Sequence, residues 1–373
     1  MPKTILYFLE DTSRDKHFHH YVLTGLEKRG YNPVVVYFSM GGKKSQLEKQ
    51  GHKIYDLGCS IDSYKGFNPG LIQKIKNVII KLNASAIHSQ RHHPLIYMAA
   101  ASCLTDISAF FYTIRSTKII RNTNRKISFF ISSKKITKII AVSNGVKEDL
   151  VSRSKISEKK VEVIPNGIDP SPFELHIDKK QARQAFNLSE TGFYFGIAAR
   201  FKKAKDHFGL INAFADIKKK GVKARLVLAG DGPLEDQIKK LAISKGLEND
   251  AVFLGKIPPD NIPLFLKTLD VFVHPSLREG MPAAVLEAMA SGLPVIATDA
   301  EGISDIFDSK RVFGKMLPRG DTALMADTMA DFYNTGPENL KKMGIEATAR
   351  IKEAFTHTHM VDKTVALYDR FLQ

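Results

Sequence analysis

The chain has 373 residues, 43% apolar, 25% charged and 9% aromatic, which suits two globular domains and excludes wholesale disorder. Two cysteines, Cys59 and Cys103, exclude a disulfide scaffold or a cysteine-based zinc site and point to a reducing compartment. The formal charge of +16 is uneven: residues 1–170 carry 27 Lys+Arg against 13 Asp+Glu, and residues 171–373 carry 28 against 26. A basic first half calls for an anionic partner, whether nucleic acid, an acidic membrane surface or a phosphate-bearing substrate; the plainer alternative is a solubilising surface. The opening MPKTILYFLEDTSRDK is too briefly apolar for a signal peptide, and no apolar run is long enough to span a bilayer. A cytoplasmic protein is expected.

Strand-like and helix-like patterns alternate along the chain. TILYFL (4–9) reads as a buried strand, YVLTGLEKRG (21–30) as a helix closed by glycine, and PVVVYF (33–38) as a strand. A helix end and a strand follow in 77–89, then a small-residue helix in 94–104 and a strand in 135–143. Asn144-Gly145 reads as a turn before a helix, and VEVIP (161–165) as a further strand. A second cycle opens after a proline-containing stretch, with 170–190 as the expected linker. It runs through strands at 193–200 and 224–229, then AVFLG, DVFVHPS and PVIATD, with helices between. Such alternation predicts parallel sheets covered on both faces. The expected domains are 1–170 and 171–355, facing a crevice, with a C-terminal helix over 356–373 that crosses back to the first. In open parallel sheets, ligands bind beyond the carboxyl ends of the strands, so chemistry is sought there.

HPSLREGMPAAVLEAMASGLPVIATD (274–299) is the most specific stretch. A helix starting near Pro282 would aim the amides of Gly280, Met281 and Ala283 outward with the positive end of its dipole behind them, an anion site suited to phosphate. Glu287 lies about 8 Å of helical rise beyond Pro282, too far from Glu279 for a tight carboxylate pair. The two read as acceptors for hydroxyls at separate points on one extended ligand; otherwise Glu279 caps the helix and Glu287 pairs with a surface lysine.

With Glu279 and Glu287 at its two positions, this stretch resembles the E-x7-E motif of the retaining GT-B glycosyltransferases of family 4. The likeness extends to KIIAVSNGVKEDLV (138–151), VEVIPNGID (161–169), GIAARFKKAKDHFGLINAFA (196–215), LAGDGPLEDQIKKLA and VFLGKIP. It implies a GT-B fold of two Rossmann-like domains, and transfer of a hexosyl unit from a nucleotide-diphosphate sugar, a UDP-sugar foremost, to a lipid-linked or polysaccharide acceptor. Arg200 and Lys205 stand at the family's Arg-x4-Lys positions and, with the helix start, would grip the diphosphate leaving group. Glu279 would hold donor-sugar hydroxyls and Glu287 the ribose, with Gly255 and Lys256 near the base. No Asp-x-Asp occurs in the sequence, consistent with metal independence and with no cofactor. The favoured route has the leaving phosphate take the acceptor's proton on the same face.

The first domain would hold the acceptor. IHSQRHHP (87–94) follows a strand; the family's usual histidine position is Gln90 here, so His88, His92 or His93 is the candidate, with His92 as the catalytic one. The first loop, EDTSRDKHFHH, lacks the glycines of many relatives, leaving Arg14, Lys16 or His19 to meet acceptor or phosphate. Residues 115–147 carry nine cations and no acid, interleaved with Ile119, Ile120, Ile127, Phe129, Phe130 and Ile131. This suits an anionic lipid surface, at the inner face of the cytoplasmic membrane, unless the apolar side chains face the core. Two other readings compete: a sugar-nucleotide epimerase of the same architecture, and a nucleic-acid-binding protein, against which stands the absence of an aromatic stacking pattern.

Overall fold

A computed structural model describes residues 2–14, 17–60, 63, 68–90, 92–120 and 123–372, the side chains of residues 14, 17 and 92–94 excepted. The chain divides into two α/β units, Met1–Gly167 with His357–Gln373, and Ile168–Thr356.

The first unit is a parallel sheet of β1 (Thr4–Asp11), β2 (Asn32–Ser39), β3 (Lys53–Asp56), β4 (Ala84–Ser89), β5 (Ala109–Ile114), β6 (Lys138–Ala141) and β7 (Val161–Val163), in the order 3-2-1-4-5-6-7. β1, β2 and β5 are nearly continuous apolar runs because helices bury both faces. The order reverses between β1 and β4, so the binding end of this sheet is the carboxyl end of those strands and their neighbours. The helix His357–Leu372 belongs to this unit. Its Tyr368 ring stacks on Phe111 at 4.3 Å, and Tyr31 donates to Asp369 Oδ1 at 2.6 Å.

In the second unit β8 (Phe193–Ala198), β9 (Ala224–Ala229), β10 (Ala251–Gly255), β11 (Val271–His274), β12 (Val295–Thr298) and β13 (Gly314–Leu317) are parallel in the order 10-9-8-11-12-13, reversing between β8 and β11. Phe195, Ile197, Phe214, Leu228, Val273 and Met329 pack its core. Both units are doubly wound, as the strand–helix alternation predicts.

Four local differences have physical causes. The stretch 170–190, expected as a linker, is folded onto the second unit. Arg183, buried, donates to Asp270 Oδ2 at 2.9 Å, to the Thr268 carbonyl at 3.0 Å and to the Glu190 carbonyl at 2.9 Å. Asn144-Gly145 is not a turn but the start of the helix Asn144–Ser154, whose orphan amide at Val146 is capped by Ser143 Oγ at 3.2 Å. Strand β13 escapes notice because Lys315 and Met316 are exposed, so no apolar run marks it. On the basic helix Thr123–Ser133, Phe129 is fully buried, whereas Ile127, Phe130 and Ile131 are 53%, 49% and 61% exposed. The core-facing reading holds for Phe129 and Ile120 and fails for those three.

Candidate active site

At the carboxyl ends of β8, β9 and β10 the second unit opens a cavity of about 470 Å³, lined by Arg200, Gly230, Asp231, Lys256, Ile257 and Glu287 among others. The walls follow directly from the strand ends. Gly230 takes φ +142°, and a Cβ there would lie 2.1 Å from the Ala199 carbonyl oxygen, so only glycine lets these loops approach. The Gly230 amide donates to the Gly255 carbonyl at 2.7 Å, which fixes the turn that presents Lys256. Arg200 is 64% exposed and only loosely paired with Asp231 at 3.9 Å, so its guanidinium is available to a ligand. Glu287 sits on the helix Ala283–Ala290 and faces this cavity; burial alone raises its carboxyl from the ordinary 4.5 to about 7.

Lys205 is not among the residues that line this cavity. The 200–206 loop is tied to the loop after β11 by the Leu277 amide donating to the Ala204 carbonyl at 2.9 Å, and Lys205 Nζ pairs with Glu279 Oε1. The same oxygen lies 2.7 Å from His274 Nε2 at the fully buried end of β11. Burial opposes ionisation of Glu279, but the hydrogen bond and charge of His274 and the Lys205 ammonium outweigh it and hold the carboxyl at about 2. Burial in turn lowers the His274 pKa against the pull of Glu279. The ring donates from Nε2 to the ionised carboxylate, while buried Nδ1 has no hydrogen-bond partner. Ser276 Oγ lies 3.0 Å from the same Nε2. The result is an ionised carboxylate held between an ammonium and an imidazole N–H.

Beyond it, Gly280 passes so close to Gly302 that a Cβ on Gly302 would lie 1.8 Å from the Gly280 carbonyl oxygen. Met281 and Pro282 are buried and Ala283 is exposed at the start of the helix. The Glu279 amide donates to Glu301 Oε2 at 3.2 Å, and Arg319 pairs with Glu301 at 3.2 Å and with Asp299 at 3.1 Å. A carboxylate thus already rests against an amide just before this helix.

In the first unit His88 is engaged by the protein itself. It is buried, with Nε2 2.7 Å from Thr113 Oγ1 and Nδ1 against the Tyr368 hydroxyl, so both ring nitrogens are taken. His19 is likewise buried, with Nδ1 2.9 Å from the Tyr7 hydroxyl, rather than extended toward solvent. Gln90 bonds to Tyr7 and accepts from Arg115 Nε at 3.1 Å. The side chains of Arg14, Lys16, His92 and His93 lie outside the described residues.

Sequence reasoning missed His274, Ser276, Glu301 and Arg319. The quoted stretch held the first two, yet a histidine inside an apolar strand carries no signal of a partner five residues on. Arg319 and Glu301 meet only through the register of β12 and β13.

Two doubly wound units of this topology define the GT-B fold. The Anabaena protein HepE, solved with UDP, shares it, with a TM-score of 0.82 at 19% identity over 99% of this chain and 100% of that one. The profile described as glycosyl transferases group 1 matches residues 178–350, and that of glycosyltransferase family 4 matches residues 18–172. EpsF of Bacillus subtilis (strain 168) is 30% identical over 307 residues, 75% of this chain and 78% of its own. The Escherichia coli UDP-Gal:α-D-GlcNAc-diphosphoundecaprenol α-1,3-galactosyltransferase is 29% identical over 284 residues, 73% and 70% of the two chains. The chain belongs to the group 1, family 4 glycosyltransferases.

Proposed function

We propose that this glycosyltransferase moves a hexosyl unit from a UDP-sugar to a lipid-linked or polysaccharide acceptor in cell-envelope glycan synthesis, with retention and without a metal. The arrangement that carries the reading is the ionised Glu279, clamped by Lys205 and His274, in the same unit as a cavity with Arg200, Lys256 and Glu287 on its walls. Membership of the family favours transfer over epimerisation or nucleic-acid binding. The name of the Escherichia coli relative specifies a UDP-sugar donor and a diphosphate-linked lipid acceptor, and HepE was solved with UDP.

In this reading the bond between the donor's anomeric carbon and the β-phosphate oxygen breaks. The acceptor oxygen bonds that carbon on the same face, and its proton passes to the departing phosphate. Lys205 and Arg200 offset the growing negative charge, the task a divalent metal performs in other glycosyltransferases. Glu279 accepts from sugar hydroxyls and Glu287 from the ribose. A thermal-shift screen of UDP-, GDP- and ADP-sugars in the presence of a chelator tests the donor and the metal together. A cognate donor at 100 times its Kd adds about 2.7 kcal/mol of stability; no shift with any nucleotide sugar, or one only with UDP-sugar plus metal, counts against it. The anomeric configuration of the product, read by NMR, decides retention.

A second reading concerns location. The helix Thr123–Ser133 turns Ile127, Phe130 and Ile131 outward among Arg125, Lys126, Lys134 and Lys135. That suits docking on an anionic lipid surface, each cation contributing about 1 kcal/mol. Among the described residues no helix is long and apolar enough to cross a membrane. Sedimentation with anionic but not neutral vesicles is expected; equal behaviour with both refutes it.

A further inference from the structure

Arg115 is the first residue after β5, at the sheet end where doubly wound folds take ligands. Its Nε donates to Gln90 Oε1 at 3.1 Å and its Nη1 to Asn166 Oδ1 at 2.6 Å, residues that follow β4 and β7. The guanidinium carbon lies 3.8 Å from the centroid of the Phe18 ring. Burial lowers its pKa to about 10, so it stays cationic at neutral pH. The Tyr7 phenol beside it stays protonated, since burial raises its pKa despite the Arg115 charge. Every partner is therefore neutral, and among the described residues no carboxylate pairs with this cation.

The same chain treats a buried guanidinium differently. Arg183 in the second unit is met by Asp270 at 2.9 Å. A cation withdrawn from water without a counter-ion costs several kcal/mol, and such groups concentrate at functional sites. Arg115 is also only partly covered, and two amides and a phenyl ring pre-order it. Its planar fork of donors matches the oxygens of a carboxylate or a phosphate.

We propose that Arg115 binds an oxyanion of the acceptor, so that the glycan or lipid-linked molecule receiving the sugar is negatively charged. The word acceptor rests on the transferase reading above; the anion site does not.

The probes are three soluble glycosides with one sugar and one short alkyl tail, ending in a neutral ether, a carboxylate or a diphosphate, titrated calorimetrically into the full chain. The wild type should bind at least one anionic probe about 30-fold more tightly than the neutral one. Which anionic probe prevails identifies the oxyanion. Arg115→Gln should abolish the preference and leave neutral-probe affinity unchanged, and Arg115→Lys should restore part of it. Asn166→Asp places a carboxylate where the amide oxygen meets Nη1. It should raise Tm by supplying the missing counter-ion and weaken the anionic probe by about 10-fold or more. That variant decides the matter should Arg115→Gln fail to fold. Equal affinity of the wild type for neutral and anionic probes, a preference surviving in Arg115→Gln, or undiminished anion binding in Asn166→Asp overturns the proposal. Arg115-dependent binding without sugar transfer to any probe refutes the transferase reading and leaves the anion site standing; transfer indifferent to Arg115 does the reverse.

Discussion

Replacing Glu287 with Gln should stabilise the ligand-free protein above neutral pH and leave it unchanged in mild acid. Burial raises this carboxyl from 4.5 to about 7, and no hydrogen bond or ion pair to it is found among the described residues. Below pH 4.5 the folded and unfolded chains are both protonated there. Between 4.5 and 7 the unfolded chain gives up its proton while the folded one keeps it, so stability falls as pH rises through that window and the loss is complete above 7. The full difference corresponds to about 3.4 kcal/mol. Partial exposure of Glu287 on the cavity wall brings the expected figure to about 2 kcal/mol. Urea unfolding at pH 4 and pH 8.5, without ligand, measures it: the variant should match wild type at the lower pH and exceed it by about 2 kcal/mol at the higher. A hydroxyl-bearing donor needs the ionised form, so wild-type donor affinity should climb through pH 7 and that of Glu287→Gln should stay flat. A stability gap equal at both pH values would mean that Glu287 is already ionised in the folded protein, which removes the basis of both expectations.

Lys205→Ala and Glu279→Ala should each cut turnover at least about a hundredfold, roughly 2.7 kcal/mol of barrier; steady-state rates near wild type in either would leave the clamp without a role in transfer. His88 and His207 are both depressed to about 3, by burial first. The unfolded chain takes up protons there below about pH 6.5, so stability should drop as pH falls from 6.5 toward 3, by about 1.4 kcal/mol per pH unit for each histidine. Urea midpoints at pH 7 and pH 5 report this, and His88→Gln or His207→Gln should flatten the slope. Arg183→Ala removes one of two cationic partners of Asp270, Lys179 remaining at 2.7 Å, and should cost about 1.5–3 kcal/mol; an unchanged thermal midpoint would show that 170–190 is not anchored through that pair.

Strand–helix alternation is written in apolar runs such as TILYFL and PVVVYF because a two-sided parallel sheet demands them, and the carboxyl ends of the strands so marked can be located from those runs; β3 and β13, with exposed residues, carry no such run. The glutamates of 274–299 were legible for the same reason, as charges in a stretch otherwise built to be buried. Partnership was not legible. Arg200 and Lys205 are five residues apart, yet a short helical turn sends one to a cavity wall with Glu287 and the other to Glu279. His88 reads as a candidate ligand from its place after an apolar strand, but its fate depends on Thr113 and Tyr368, distant in sequence. Arg115 lies in the basic stretch like eight other cations; only the folded neighbourhood shows that it sits against Gln90, Asn166 and Phe18.

The helix His357–Leu372 supplies Tyr368 and Leu367 to the interior of the unit that begins the chain. On the ribosome, that unit's seven strands emerge long before the segment that seals them, since all of Ile168–Thr356 is translated in between. Phe111 and the apolar flank of the helix His17–Lys28 therefore wait uncovered until His357–Leu372 has been made. Loss of that helix would injure the unit whose strands are made before Ile168–Thr356 and spare the unit made between them.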